Sequence, residues 1–163
     1  ILLVSPMNSL FVILSKAVPY FVLSILNLTT ILLLSFFVLD VPIAGSLTAL
    51  VGVSLVFIFV SLALGLLISN VTQTQVAAML ASGMVLMLPT IILSGIIFPI
   101  ESMPGILQGI SCFIPARWYV SIVRRIMIEG VPFMYVWKET AILLFMAVVL
   151  IGITTRTFKN RLE

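Results

Sequence analysis

The chain has 163 residues, 63% of them hydrophobic and 8% charged, with a net charge of +3, one cysteine and no histidine. An average soluble domain carries roughly 25% charged residues, and a core built from a chain this short cannot hide so much apolar surface, so lipid is the expected solvent. The composition excludes a His-dependent catalytic dyad or triad, a disulfide within the chain and a clustered metal site, and its sparse basic residues sit near the ends of apolar runs, as membrane anchors do, instead of forming a nucleic-acid-binding stripe.

The opening stretch ILLVSPMNSL has no basic leader and is not a signal peptide; with Ile1 in first place, the chain is expected to be the C-terminal part of something longer. Residues 1–16 precede the first span. No charged residue lies between Lys16 and Asp40, and the interval 17–39, at about 1.5 Å per residue, reaches across a hydrocarbon layer of roughly 30 Å. Lys16 is expected to anchor the helix end or to make a contact there, Pro19 to sit harmlessly in the first turn, and Asn27, Thr29 and Thr30 to hydrogen-bond other helices. DVPIAGS is a turn, with Ser46 as N-cap of a second span over 47–68. SNVTQTQ is a polar hinge, in which Thr72 and Gln75 match a capping box for a third span over 76–97. Pro89 lies inside that span, so a kink or a neighbouring helix must absorb the carbonyl it leaves unpaired.

The last span is placed at 137–155. Thr140–Thr155 alone is too short, so Trp137 to Glu139 must be drawn in, with Lys138 snorkelling and Tyr135 and Trp137 forming an interface belt. The basic tail, 158–163, argues for a cytoplasmic C-terminus, although basic residues divide evenly between the two sides.

Between the last two spans, residues 98–134 carry too many charges to cross the bilayer facing lipid, at about 2.5–3.5 kcal/mol for each buried charge. Pro104 can start a short amphipathic helix that Pro115 stops, and a second runs from about Trp118 to Glu129. Segment 104–129 is therefore expected to dip into the membrane and return, the alternative being a pair lying flat at the interface. The predicted fold is all-α and polytopic: four transmembrane helices plus a re-entrant short helix pair before the last one.

Two candidate sites follow. Met79, Gly83, Met87, Thr90 and Ser94 recur every three or four residues as a small, soft, weakly polar stripe, suited either to a substrate pathway or to helix packing. Pro99, Glu101, Pro104, Pro115, Arg117 and Arg124 mark an external gate or re-entrant region. There Glu101 either pairs with Arg117, Arg124 or Arg125, or each charge meets lipid headgroups separately.

LLVSP (Leu2–Pro6), KAVPY (Lys16–Tyr20), VPIAGS (Val41–Ser46), LGLLIS (Leu64–Ser69), TQTQVAAM (Thr72–Met79) and LPTIILSGIIFPIESMP (Leu88–Pro104) together resemble the permease subunit of ABC-2 type exporters, in their bacterial drug-exporter-like branch. The resemblance covers nearly the whole chain. It implies the last four of six membrane helices, a cytoplasmic coupling segment at 1–16 in which Ser5, Pro6, Met7 and Asn8 meet an ATPase, and a bacterial inner-membrane location. It also implies two partners, a cytoplasmic ABC ATPase holding ATP and Mg and a second permease, identical or paralogous, and a drug-like or amphiphilic cargo moved outward by alternating access. The chain has no GxxxxGK[ST] phosphate loop, so the nucleotide belongs to the partner. A membrane scaffold that moves nothing is the competing reading; an intramembrane enzyme using Cys112 or a serine is disfavoured by the lack of histidine.

Overall fold

A computed structural model describes residues 9–160. The described residues contain helices and turns and no strand. Helix α1 spans Ser9–Phe37 and α2 spans Leu47–Val71. The third span is composite: α3 (Gln75–Ala81), a π-helical segment (Ser82–Met87) and α4 (Leu88–Leu93). Two short helices follow, α5 (Gly105–Ser111) and α6 (Pro115–Met127), before α7 (Trp137–Asn160) closes the chain. Four helical stretches are long and apolar enough to cross a membrane, as the sequence predicts, and the chain is a multi-pass membrane protein.

Local chemistry explains most boundaries. Ser46 caps α2, its hydroxyl accepting from the Ala49 amide at 3.4 Å. At the next hinge the expected roles shift by two residues: Thr74 caps α3, accepting from Ala77 N at 3.1 Å, whereas Thr72 closes α2 and donates to Ile68 O. Both threonines suit a cap, and only the register of the hinge separates them. Helix α1 is already formed at Ser9 and runs straight through Lys16, so Pro19 lies well inside it and not in its first turn. One charge on an otherwise helical pattern does not end a helix.

Pro89 is accommodated by the π segment directly before it, where the Leu88 amide donates to Gly83 O, five residues back. A wider turn there redistributes the carbonyls that a proline cannot serve. The span then stops earlier than predicted. Ser94 ends it, Gly95 turns the chain at φ +85°, and Ile96 to Phe98 run exposed to the Ile100–Ser102 turn. A Cβ on Gly95 would also press on the Ile100 side chain at 3.2 Å, so two separate constraints favour glycine.

The packed centre is built by α2, α6 and α7. Leu50, Val53, Ile122, Ile126, Val136 and Leu143 form its buried core. In lipid, such contacts are held by close packing and hydrogen bonds more than by escape from water. The Tyr119 ring stacks on Phe57 at 4.3 Å, and its hydroxyl pairs with Ser54 at 2.9 Å. Since the Ser54 proton goes to Leu50 O, Tyr119 is the donor in that pair. Helix α1 is peripheral and none of its described side chains is buried. Thr29 and Thr30 do not reach other helices: each hydroxyl donates to the carbonyl four residues back, at 2.9 and 2.8 Å. That internal bond satisfies them without a partner on another helix. Asn27 is exposed with no hydrogen bond among the described residues.

Candidate functional site

The chain's path decides what α5 and α6 are. The turn between α1 and α2 defines one end of the bundle. Ala44 N donates to Met127 O at the end of α6 (3.2 Å), and Gly130, at φ +64°, lies against Ala44. Ser94 and Glu129 line one cavity, while Phe133 and Thr140 line another with Ser46. The third span therefore ends, and α7 begins, at the same end of the molecule. The intervening pair is bent by 88°. Its longer arm, the 13-residue α6, rises about 20 Å, short of the roughly 30 Å needed to cross. The pair enters and leaves on one side, and its α6 arm stands in the bundle instead of lying flat on the membrane.

Pro115 acts differently from the sequence-based expectation. It does stop the first helix, but it also opens the second, occupying the first turn of α6, three residues before Trp118. Its missing N–H falls where no intrahelical acceptor is needed. Pro104 stands immediately before α5, as expected.

Arg117 explains how a bent pair of short helices survives at membrane depth. Its guanidinium donates to Gln108 O (2.9 Å), Ser111 Oγ and Cys112 Sγ (3.0 Å). These acceptors close α5 at its C-terminus, where carbonyls are unpaired and a cation is favoured. Trp118 Nε1 adds a bond to Cys112 O at 3.0 Å. Arg125 is bound to Glu139 of α7 at 2.9 Å. Neither arginine is held by Glu101, whose side chain makes no ion pair among the described residues. Arg117, expected from the sequence in a gate or re-entrant region, is placed here as a helix cap across the bend. Its sequence signal was present: a cation shortly after a short helix that ends in Ser111 and Cys112.

The stripe on the third span divides. Met79, Gly83, Met87 and Thr90 line a cleft of about 760 Å³. Phe57, Ser61 and Leu64 of α2 form one wall, and the α5–α6 junction from Phe113 to Ala116 closes one end. Met79 and Met87 are 76% and 63% exposed, so the stripe is not spent on packing within this chain. The wall is apolar and pliable, with hydroxyls from Ser61, Ser82 and Thr90 as its polar points. Ser94, the fifth residue, leaves the stripe. It lies past the end of α4 and lines a separate polar cavity of about 240 Å³ with Pro99, Glu101, Arg117 and Arg124. Pro104 and Pro115 line neither side of that cavity. The proposed coupling residues Ser5, Pro6, Met7 and Asn8 lie outside the described residues.

The chain has relatives among known proteins. A family model described as ABC-2 family transporter protein matches residues 1–156. The chain is 38% identical over 151 residues to the probable multidrug ABC transporter permease YbhS of Escherichia coli, covering 92% of this chain and 40% of that protein. It is 31% identical over 138 residues to the probable multidrug ABC transporter permease YbhR of the same organism, covering 85% of this chain and 37% of that protein. With ABC transporter G family member 20 of Dictyostelium discoideum it shares 28% identity over 141 residues, covering 85% of this chain and 19% of that protein. The chain thus spans less than half the length of these relatives. No solved structure matches it. On the match of the family model to nearly its whole length, the chain belongs to the ABC-2 family of transporter proteins.

Proposed function

We propose that this chain is the membrane-spanning C-terminal part of an ABC exporter permease, which moves a small amphiphilic or drug-like substrate outward by alternating access. A cytoplasmic ATPase subunit holds ATP and Mg and supplies the energy. Residues 1–16, with Ser5, Pro6, Met7 and Asn8, form the ATPase-coupling segment, residues 17–157 the membrane domain, and 158–163 a cytoplasmic tail. The location is the bacterial inner membrane, with the bent pair on the external side. Family membership and the multidrug wording in the names of two relatives support this reading.

The observation that carries it is the apolar cleft of about 760 Å³ along the π-helical third span. A soft, methionine-bearing wall with a few hydroxyls suits varied greasy substrates better than one fixed ligand. A π segment is also a site where a helix can change pitch at little cost. The reading includes a second permease, identical or paralogous, and Asn27, exposed at mid-span on α1, supports it. An amide there is stabilised by a facing helix and not by lipid.

The test is to fill the cleft. A Cβ on Gly83, which lines the cleft, meets nothing within 4 Å, so the side chain of Gly83→Trp starts from open space at the cleft wall. In the full-length permease reconstituted with its ATPase, export of a fluorescent amphiphile should fall sharply while membrane insertion and ATP hydrolysis persist. Unchanged export would remove the cleft from the pathway, and ATPase-dependent export absent from the wild type would favour a scaffold.

A further inference from the structure

Beside the cleft, the polar cavity of about 240 Å³ lies between the end of the third span and one face of α6. Ser94, past the end of α4, and Glu129, past the end of α6, both line it, and its charges are unevenly committed. Arg125 is spent on Glu139 at 2.9 Å, and Arg117 on the end of α5. Arg124, Glu101 and Glu129 are exposed, and their side chains make no ion pair among the described residues. Arg117 is bonded only to neutral acceptors, so among the described residues two cations, Arg117 and Arg124, and two anions, Glu101 and Glu129, share one small cavity without an ion pair. Ser94, 1% exposed, adds a hydroxyl that is buried without a hydrogen-bond partner. A buried, unpaired hydroxyl is costly unless something in its surroundings serves it.

An anion alone would meet repulsion from both carboxylates, and a simple cation would leave Arg124 unanswered. Arg124 lies two helical turns beyond Arg117, with Ser121 between them on the same face. That face offers a guanidinium and a hydroxyl to a phosphate diester, while Glu101, from the turn after the third span, and Glu129, just past the end of α6, line the same cavity and offer acceptors to an ammonium. We infer that this cavity is a binding site for a zwitterionic aminophospholipid headgroup of the phosphoethanolamine type, seated beside the bent helix pair. The ammonium of such a headgroup carries N–H donors for the two carboxylates; a choline headgroup carries none and is bulkier. Glu101 and Arg124 thus need no direct contact with each other, because the headgroup bridges them. The site depends on the membrane placement of the chain and not on its transport activity, so binding is measured without turnover and can fail while export stands.

The experiment uses the full-length permease with its ATPase, purified in detergent and titrated with single lipids under native mass spectrometry. Phosphatidylethanolamine should bind about tenfold or more tightly than phosphatidylcholine of the same acyl chains, the loss expected when charge-assisted hydrogen bonds are removed. Arg124→Gln, and separately Glu101→Gln with Glu129→Gln, should each erase that preference. Inorganic phosphate should not displace the lipid, which separates a headgroup from free phosphate. Equal binding of the two lipids by the wild type overturns the proposal without any variant. So does a preference that survives both sets of substitutions, or phosphatidylglycerol binding best and tightening when the two glutamates are neutralised, which would mark a plain anion site.

Discussion

Replacing Arg117 with leucine tests the account of the bent pair most directly. The substitution removes a guanidinium that donates to Gln108 O, Ser111 Oγ and Cys112 Sγ. Hydrogen bonds from a charged donor contribute about 1.5–3 kcal/mol each, so losing the two oxygen acceptors costs roughly 3–6 kcal/mol. Against this, an arginine at membrane depth carries a penalty of about 2.5–3.5 kcal/mol that leucine does not. The central values leave α5 weaker by about 1.5 kcal/mol, so its opening rises by roughly tenfold. Hydrogen exchange read by mass spectrometry on the full-length protein should show the acceleration in residues 105–112, with α2 and α7 unchanged. Arg117→Lys, which keeps the charge but offers a single point of donation, should fall between the wild type and leucine. If residues 105–112 exchange at the wild-type rate in the leucine variant, the guanidinium does not hold the bend and the reasoning fails.

Three further outcomes are expected. Gly45→Ala places a Cβ 2.5 Å from Ile126 O and 3.0 Å from its Cγ2, so it should lower thermal stability by about 1–3 kcal/mol. Gly52→Ala, with nothing within 4 Å, should be neutral or stabilising, and equal midpoints for the two variants would show that the turn does not pack on α6. At the Arg125–Glu139 pair, the glutamate side chain is 16% exposed and the arginine 42%. Arg125→Gln strands a largely buried carboxylate and should destabilise more than Glu139→Gln, whose stranded arginine reaches solvent; thermal unfolding in detergent with the reverse order would refute this. In cells carrying the full-length protein in a Cys112→Ser background, Glu101→Cys and Glu129→Cys should react with an impermeant maleimide from outside and Arg156→Cys should not. Labelling of the last from outside would invert the topology.

The sequence alone was enough to determine the four spans, the turn at DVPIAGS and the presence of a helix pair that cannot cross. Those features follow from a local rule: in lipid a segment must satisfy its own backbone and show apolar side chains over about twenty residues, and any charge or proline that breaks the rule is visible one residue at a time. Span edges were less legible, because the helix through Lys16, the choice between Thr72 and Thr74 as caps and the early stop at Gly95 depend on neighbours and not on composition.

Only the tertiary structure decided how faces meet. A stripe counted from Met79 to Ser94 is continuous in sequence, yet the span ends at Ser94 and sends that residue into a different cavity from the other four. The partners of Arg117 and Arg125 were equally hidden. A charge in a sequence names its need for a partner but not the partner, and here one cation is met by the end of its neighbouring helix and the other by a glutamate 14 residues on. Hydrogen bonds and ion pairs act over a few ångströms, and which groups come that close is settled by the 88° bend and by the packing of α6 against α2 and α7.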